Sequence, residues 1–169
     1  VGAVKESSRL DRAAEEDVDL HRILDSTLTM LGHRLKEGTV RLAREYDPDL
    51  PPVTGRGSEL NQVFTNLLVN ALDAVEGDGT VTIRTRRDGD AAIVEVSDSG
   101  PGVPDGARER IFEPFFTTKP VGIGTGLGLD ISFRIIQRHG GSLVLCDAPG
   151  PTTFRVRLPL TPAAAPTTP

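Results

Sequence analysis

The apolar residues between Leu60 and Val75 form the most regular pattern in this chain of 169 residues. Counted from Leu60, they fall at offsets 3, 4, 7, 8, 11, 12 and 15, which is one uninterrupted face of an α-helix. Ser58 is a candidate N-cap, and Gly77 with Gly79 is expected to end the helix. A helix with a fully apolar face needs a second layer to cover that face, so the rest of the chain must supply one.

The remaining segments predict a mixture of helices and strands. Apolar periodicity indicates helices over 19–36 and 127–138, with Gly38 closing the first. Alternation and turn residues indicate strands over 40–43, 80–86, 91–97, 142–146 and 153–158. This order predicts an α/β (α+β) sandwich, in which a mixed, largely antiparallel sheet carries its helices on one face.

Length and composition suit one cytoplasmic domain. We expect residues 18–160 to form it, residues 1–17 to be the end of a preceding helix and a linker, and residues 161–169 to be a disordered tail. No stretch is apolar for long enough to span a bilayer, and the sequence opens without a signal peptide. The formal net charge of -5 argues against nucleic acid as the main partner.

Four polar residues share one side of the predicted central helix. Glu59, Asn66, Asn70 and Asp73 fall within about 60° of the helical wheel, beside the apolar stripe. A solvent-exposed helix face is one explanation, but Lys, Glu and Arg have a higher helix propensity than asparagine and are more usual on such a face. Asparagine oxygens suit Mg²⁺ that keeps some of its waters and bridges a triphosphate.

Three later segments also carry chemistry. The turn 98–102 (DSGPG) follows a strand, and the carboxylate of Asp98 could accept a hydrogen bond from an amino group such as that of adenine; an ordinary turn is the alternative. Phe112, Phe115 and Phe116 crowd into IFEPFF, which suits either a lid over a ligand or a hydrophobic staple for a long loop. The run GIGTGLGL over 122–129 suits a phosphate-binding loop or a flexible connection.

Four segments of the chain together resemble the N, G1, F and G2 boxes of sensor histidine kinases. In that order they are EL..VFTNLLVNALDAV, DSGPGVP, IFEPFFTTK and GIGTGLGL. The resemblance is to their ATP-binding catalytic domain, which belongs to a wider superfamily with gyrase, mismatch-repair ATPases and heat-shock chaperones. It covers about residues 19–160 and implies that the chain binds ATP and Mg²⁺. The FEPFFTTK segment is closer in style to the nitrogen-regulation type of kinase.

The resemblance also implies roles for individual residues. Asn70 would be the Mg²⁺ ligand, with Asn66 beside it near the phosphates. Asp98 would recognise the adenine amino group, Gly100 and Gly102 would shape that pocket, and Thr153 would assist Asp98. The residues that would wrap the phosphates are Lys119, Gly124, Thr125, Gly126, Leu127 and Gly128. Asp73 stands where many sensor kinases carry a lysine that reaches phosphate, so a structural or water-mediated contact is expected of it.

The residue type at Asn66 bears on whether the γ-phosphate of ATP is transferred to water or to another nucleophile. Gyrase-like members place a glutamate there as a general base for water, whereas an amide takes up no proton at neutral pH. We therefore expect poor hydrolysis and transfer of the γ-phosphate to an external nucleophile, with Asn66, Asn70 and Lys119 as the catalytic residues. A regulatory nucleotide-binding module without transfer activity and a gyrase-type ATPase are the alternatives.

The phosphoacceptor histidine is expected elsewhere, because neither His21 nor His33 precedes an acid and His139 lies in an HGG turn. The resemblance then implies three partners: the dimerisation and histidine phosphotransfer helices of the same kinase, a response regulator receiver domain, and a second copy in a full-length homodimer. Residues 1–17 would be the end of a dimerisation helix, and the fragment alone could be monomeric.

Overall fold

The computed structural model describes residues 15–116, 128–146 and 151–162. Its helices are α1 (Leu20–Met30), α2 (Gly32–Lys36), α3 (Gly57–Val75) and α4 (Gly128–Arg138). Its strands are β1 (Glu15–Val18), β2 (Thr39–Glu45), β3 (Val53–Arg56), β4 (Asp78–Asp88), β5 (Ala91–Asp98), β6 (Ser142–Leu145) and β7 (Thr152–Pro159). A 3₁₀ turn spans Asp105–Ala107.

Five of the strands form one sheet in the order β2-β4-β5-β7-β6. The β2–β4 pair is parallel, and the other three pairs are antiparallel. The predicted mixed, largely antiparallel sheet is therefore confirmed. The antiparallel pair β4–β5 is closed by a tight turn at Gly89, whose φ of 60° is a backbone conformation that glycine adopts without strain.

The core lies between this sheet and helices α3 and α4. All eight apolar residues of the predicted stripe on α3 are buried, from Leu60 to Val75. They pack against inward-facing residues of the central strands, among them Val81 on β4 and Val94 on β5. Helix α1 packs on α3 with Leu20, Leu24 and Leu28 buried, as its stripe predicts. The predicted helix layer therefore covers one face of the sheet.

Rows of paired charges cover the opposite face of the sheet. The hydrogen-bonded pairs are Arg84 Nε to Glu45 Oε2 at 2.7 Å, Arg155 to Glu95 at 3.1 Å and Arg157 to Asp88 at 2.8 Å. The strand register places Glu45, Arg84, Glu95 and Arg155 side by side across four neighbouring strands, so the signs alternate. Opposite charges at cross-strand positions stabilise a solvated sheet face.

A second, two-stranded sheet was not predicted. Strand β1 pairs antiparallel with β3, and β3 runs directly into α3. Residues 15–17 thus lie in a strand, where the sequence indicated the end of a helix and a linker. The Thr161 amide donates to the Pro52 carbonyl at 2.9 Å, so backbone order continues one residue past the predicted domain end. Strand pairing with a distant segment overrode the local helix propensity.

Helix boundaries differ from the sequence prediction at two places and agree with it at a third. The predicted helix over 19–36 is divided at Leu31, whose ψ of 7° leaves the α-helical range immediately before Gly32. Helix α3 starts at Gly57, so Ser58 lies inside the helix and the N-cap is Arg56. At its other end Glu76 adopts φ 50° and Gly77 φ 83°, which reverses the chain toward β4.

Candidate functional site at the polar face of α3

The polar side of α3 lies next to the carboxyl end of β5. Asn66, Asn70 and Asp73 are half-buried on this side of the helix. Glu59 belongs to the same stripe but has another role, since its carboxylate pairs with Arg56 and Arg138 at 3.4 Å each. These pairs link the first turn of α3 to the end of α4. Glu59 is therefore assigned to this link between the two helices, and the other three aligned residues are considered in turn.

The amide of Asn66 contacts the first turns of α4. Its Nδ2 donates to the Gly128 carbonyl at 3.3 Å and to the Ser132 Oγ at 3.2 Å. Gly128 is the first residue of α4, so the predicted phosphate loop leads into a helix whose start is tied to α3. The N-box and G2-box residues predicted to meet are thus neighbours in space at this point.

Asp73 forms an ion pair that the sequence did not predict. The Arg34 guanidinium on α2 lies 2.7 Å from Asp73 Oδ1, with side chains 34% and 28% exposed. Asp73 is one helical turn beyond Asn70, so the pair lies within a few ångströms of the predicted magnesium ligand. Arg34 therefore offsets negative charge on this face of α3, and the structural or water-mediated contact expected of Asp73 stays a prediction.

Asp98 is the buried carboxylate of the site. It ends β5, is 4% exposed, and its Oδ1 accepts a hydrogen bond from the Gly100 amide at 2.9 Å. Within the described residues, Asp98 Oδ2 accepts no hydrogen bond. Burial raises the pKa of Asp98, and the Gly100 amide opposes part of that rise. A buried carboxylate with one uncommitted oxygen is suited to receive a donor from a ligand.

Glycines bring the turn after β5 against the end of α3. A Cβ on Gly100 would lie 2.6 Å from the Ala74 carbonyl oxygen and 2.9 Å from Asp98 Oδ1. Gly102 has φ 88°, and its missing Cβ would lie 3.6 Å from Thr152 Oγ1. A larger residue at position 100 would separate the turn from the helix, so this close approach requires glycine.

Thr153 lies on the wrong face of the sheet for the predicted adenine contact. Thr153 pairs with Ser97 in the β5–β7 register, and their hydroxyls are 2.7 Å apart. Thr152 is the residue opposite Asp98 and shares its face. Because strand side chains alternate, a shift of one residue moves the hydroxyl to the other side of the sheet. Thr152 therefore takes the place that the sequence analysis assigned to Thr153.

The phenylalanine-rich segment divides into a buried and an exposed part. Phe112 packs against Phe133 and Phe154, with ring centroids 5.2 and 6.3 Å apart, so the hydrophobic staple exists. The Arg110 guanidinium lies 4.7 Å from the ring centroid of Phe116. Phe115 is 74% exposed and has φ 65°, an unfavourable conformation for a residue with a side chain. The segment thus anchors one aromatic ring and presents another outward.

Five predicted phosphate contacts lie outside the described residues: Lys119, Gly124, Thr125, Gly126 and Leu127. Of the histidines, His21 hydrogen-bonds the Thr85 hydroxyl at 2.7 Å, and His139 contacts the Ile135 carbonyl at 2.8 Å and accepts from the Arg56 amide at 3.1 Å. His33 is exposed on α2. His21 and His139 thus make hydrogen bonds within the fold itself.

Sequence reasoning missed Arg34, Ser132 and Thr152. Alternation does place Thr152 with the buried Phe154, so the strand pattern itself carried that signal. Ser132 is four residues after Gly128 and therefore on the same helix face. Nothing in the sequence linked Arg34 to Asp73, which are separated by 39 positions.

Known proteins with similar sequences are ATP-binding domains and sensor kinases. Residues 55–162 match the family described as histidine kinase-, DNA gyrase B- and HSP90-like ATPases. The sensory histidine kinase/phosphatase NtrB of Rhodobacter capsulatus is 39% identical over 158 residues, covering 86% of this chain and 44% of NtrB. The sensor kinase CckA of Brucella abortus is 39% identical over 169 residues, covering 90% of this chain and 18% of CckA. The chain thus spans less than half of these relatives.

Solved structures show the same fold. The nucleotide-free catalytic domain of the histidine kinase ThkA has a TM-score of 0.79 and 30% identity, covering 88% of this chain and 99% of that domain. Full-length ShkA in complex with AMPPNP has a TM-score of 0.77 and 31% identity, covering 90% of this chain and 32% of ShkA. In the part of the chain that the structure describes, no helix combines the length and apolarity needed to cross a membrane. The chain therefore belongs to the family of histidine kinase-, DNA gyrase B- and HSP90-like ATPases, as an ATP-binding catalytic domain of the histidine kinase type.

Proposed function

We propose that this chain binds Mg-ATP at the polar face of α3 and donates the γ-phosphate to a histidine on the dimerisation helices of the same kinase. The observation that carries the proposal is that the helix face with two neutral amides, Asn66 and Asn70, continues to Ala74, where it meets the turn that holds the buried carboxylate of Asp98. The amides suit a metal–triphosphate group, and the carboxylate suits the adenine amino group. The AMPPNP complex of the similar ShkA supports a nucleotide as the ligand.

The adenine pocket is assigned to the end of β5. The uncommitted oxygen of Asp98 would accept a hydrogen bond from the exocyclic amino group. Gly100 lets the turn beside this carboxylate close against Ala74, and Gly102 supplies the positive φ of the same turn. Thr152, on the same sheet face as Asp98, would supply the second polar contact. The pocket would recognise adenine through one charge-assisted hydrogen bond, from the adenine amino group to the Asp98 carboxylate. Such bonds are among the stronger single polar contacts in proteins.

The phosphate and metal site is assigned to the middle of α3. Asn70 would ligate Mg²⁺ with Asn66 beside it, and Arg34 keeps the charge of Asp73 balanced near the triphosphate. Bound Mg²⁺ would neutralise charge on the phosphates and orient the γ-phosphate. The residues proposed to enclose the phosphates are Lys119, Gly124, Thr125, Gly126, Leu127 and Gly128.

Transfer to a histidine is favoured over hydrolysis because of Asn66. An amide at this position accepts no proton from water, and its nitrogen is already engaged with α4. Catalysis then rests on positioning and charge neutralisation by Asn66, Asn70 and Lys119, with the nucleophile supplied by another module.

The remaining proposals concern the whole protein. The named relatives are sensor kinases of two-component systems, which supports a response regulator receiver domain as the downstream partner. We place the catalytic domain at residues 18–160, extended by the rest of strand β1 and by Thr161, in a cytoplasmic region of a homodimeric kinase that does not act on nucleic acid. The residues before β1 would be a dimerisation-helix end and linker, and the residues after Thr161 a tail. The exposed ring of Phe115 is available to contact the dimerisation helices.

The direct test combines this chain, labelled Mg-ATP and the separately produced dimerisation helices. Phosphate that is acid-labile and base-stable on a histidine of the helices is the expected product. The Asn70→Ala variant should abolish transfer, whereas Asn61→Ala, on the same helix but hydrogen-bonded to Thr27, should retain it. Binding of ATP without any phosphohistidine would instead indicate a regulatory nucleotide-binding module, and rapid phosphate release to water would indicate a gyrase-type ATPase.

A further inference from the structure

Ser132 is a fully buried hydroxyl at the junction of α3 and α4. It is 0% exposed, and its Oγ lies 3.2 Å from Asn66 Nδ2. The same nitrogen lies 3.3 Å from the Gly128 carbonyl oxygen. Two acceptors on consecutive turns of α4 thus converge on one side-chain amide of α3.

These contacts determine which way the Asn66 amide faces. A backbone carbonyl can only accept a hydrogen bond, so the amide atom next to Gly128 must be the nitrogen. The nitrogen has two N–H groups, and Ser132 and Gly128 take one each. In the described residues, no donor bonds to Asn66 Oδ1, and this oxygen is not enclosed by protein. Asn66 therefore offers an acceptor, and no donor, to a ligand.

We infer that Ser132 is a positioning residue that holds the Asn66 oxygen toward the metal–nucleotide site. An oxygen can contact a cation or a metal-bound water, whereas a phosphate oxygen needs a donor. The inference deepens the proposed function and rests on it. It also assigns a task to the start of α4 beyond its proposed contact with phosphates, because α4 orients a side chain of the neighbouring helix.

The first measurement needs no nucleotide. The ¹⁵N NMR signal of the Asn66 side-chain amide is identified by its loss in Asn66→Ala. In the Ser132→Ala variant its hydrogen exchange should accelerate about tenfold, as expected for loss of one hydrogen bond. Ile136→Val, an equally buried change on the same helix, should leave that exchange unaltered. Unchanged exchange in Ser132→Ala would refute the contact.

The second measurement compares ATP affinity with Mg²⁺ and with a chelator. Ser132→Ala should weaken Mg-ATP binding about five- to tenfold but alter metal-free ATP binding less than twofold, because the loss acts through the Asn66 oxygen. Ser132→Thr, which keeps the hydroxyl, should restore the metal-dependent part. If the extra methyl group of Ser132→Thr lowers the melting temperature, the positioning role is judged instead from the Mg-ATP affinities of Ser132→Ala and Ile136→Val.

The outcomes separate this inference from the proposed function. Equal weakening with and without Mg²⁺, or no weakening, overturns the positioning role while leaving ATP binding intact. If the unchanged chain binds no nucleotide, the proposed function fails and the positioning role fails with it. The NMR exchange result would then still establish whether Ser132 holds the Asn66 amide.

Discussion

Replacing Asp98 with asparagine should weaken nucleotide binding without destabilising the domain. The buried carboxylate accepts from the Gly100 amide at 2.9 Å through Oδ1, and its other oxygen is assigned to adenine. Asparagine keeps an acceptor for Gly100 but places an NH₂ group where the second oxygen was. Two donors, this group and the adenine amino group, would then face each other.

The expected loss of affinity follows from the contact removed. A hydrogen bond to a charged group contributes about 1.5–3 kcal/mol. At about 1.4 kcal/mol per tenfold change, the Kd for ATP should rise roughly 10- to 150-fold. The nucleotide-free protein should respond in the other direction, since burial disfavours the carboxylate and the neutral amide carries no such penalty. At pH 7 the variant should be as stable as the original protein or more stable.

The pH dependence provides a further check with a defined sign. Burial raises the pKa of Asp98 in the folded state above its ordinary value of 3.8. The associated stability is fully present below pH 3.8 and is lost as the pH rises through the folded-state pKa. The stability advantage of Asp98→Asn should therefore be largest at neutral pH and should vanish below about pH 3.8.

Isothermal titration with ATP and urea unfolding at pH 7 and at acid pH measure these effects. Asp88→Asn is a matched control, because Asp88 lies on the outer sheet face and Arg157 lowers its pKa. The control should leave ATP affinity unchanged, and its stability difference should have the opposite pH dependence. Unaltered ATP affinity in Asp98→Asn would refute the adenine assignment. Clear destabilisation at pH 7 would refute the argument about the buried charge.

Three further changes test separate parts of the structure. Gly55→Ala places a Cβ 2.6 Å from His139 Cδ2 and should lower the urea-derived free energy of unfolding by about 1–3 kcal/mol, whereas Gly32→Ala, in open space on α2, should be neutral or stabilising. Arg34→Ala should cost less than about 1 kcal/mol in the same assay. It should weaken ATP binding more than AMP binding, because it removes a positive charge from the face of α3 assigned to the phosphates; equal weakening would contradict this. Phe115→Gly should maintain or raise the melting temperature by removing strain at φ 65° while slowing phosphotransfer to the dimerisation helices; unchanged transfer would exclude Phe115 from that contact.

Local patterns predicted the elements of the fold well. The stripe on α3 is buried along its whole length, and the five strands of the main sheet occur where alternation and turn residues placed them. Helix ends were less accurate, because they depend on contacts far along the chain. Arg56, for example, precedes α3 with its amide hydrogen-bonded to His139, 83 positions away, so the chain enters the helix earlier than the Ser58 cap predicted.

In the candidate site, too, local spacing predicted some features and long-range contacts decided others. Asn66, Asn70 and Asp73 share a helix face because of their spacing, and Gly100 closes against α3 as a glycine in a tight turn can. The register between β5 and β7 decided that Thr152, and not Thr153, shares a face with Asp98. A single-residue shift in strand pairing reverses every side chain, so residue types alone did not resolve this choice.

The sequence by itself determined the family, the central helix, the amide face and the acid at the end of β5, because helical and strand periods are local properties of the chain. Tertiary structure alone decided which distant groups meet them. Arg34 balances Asp73, and Ser132 orients Asn66, through contacts across 39 and 66 positions. Such contacts depend on how helices pack against one another, and packing geometry arises only when the whole core is assembled.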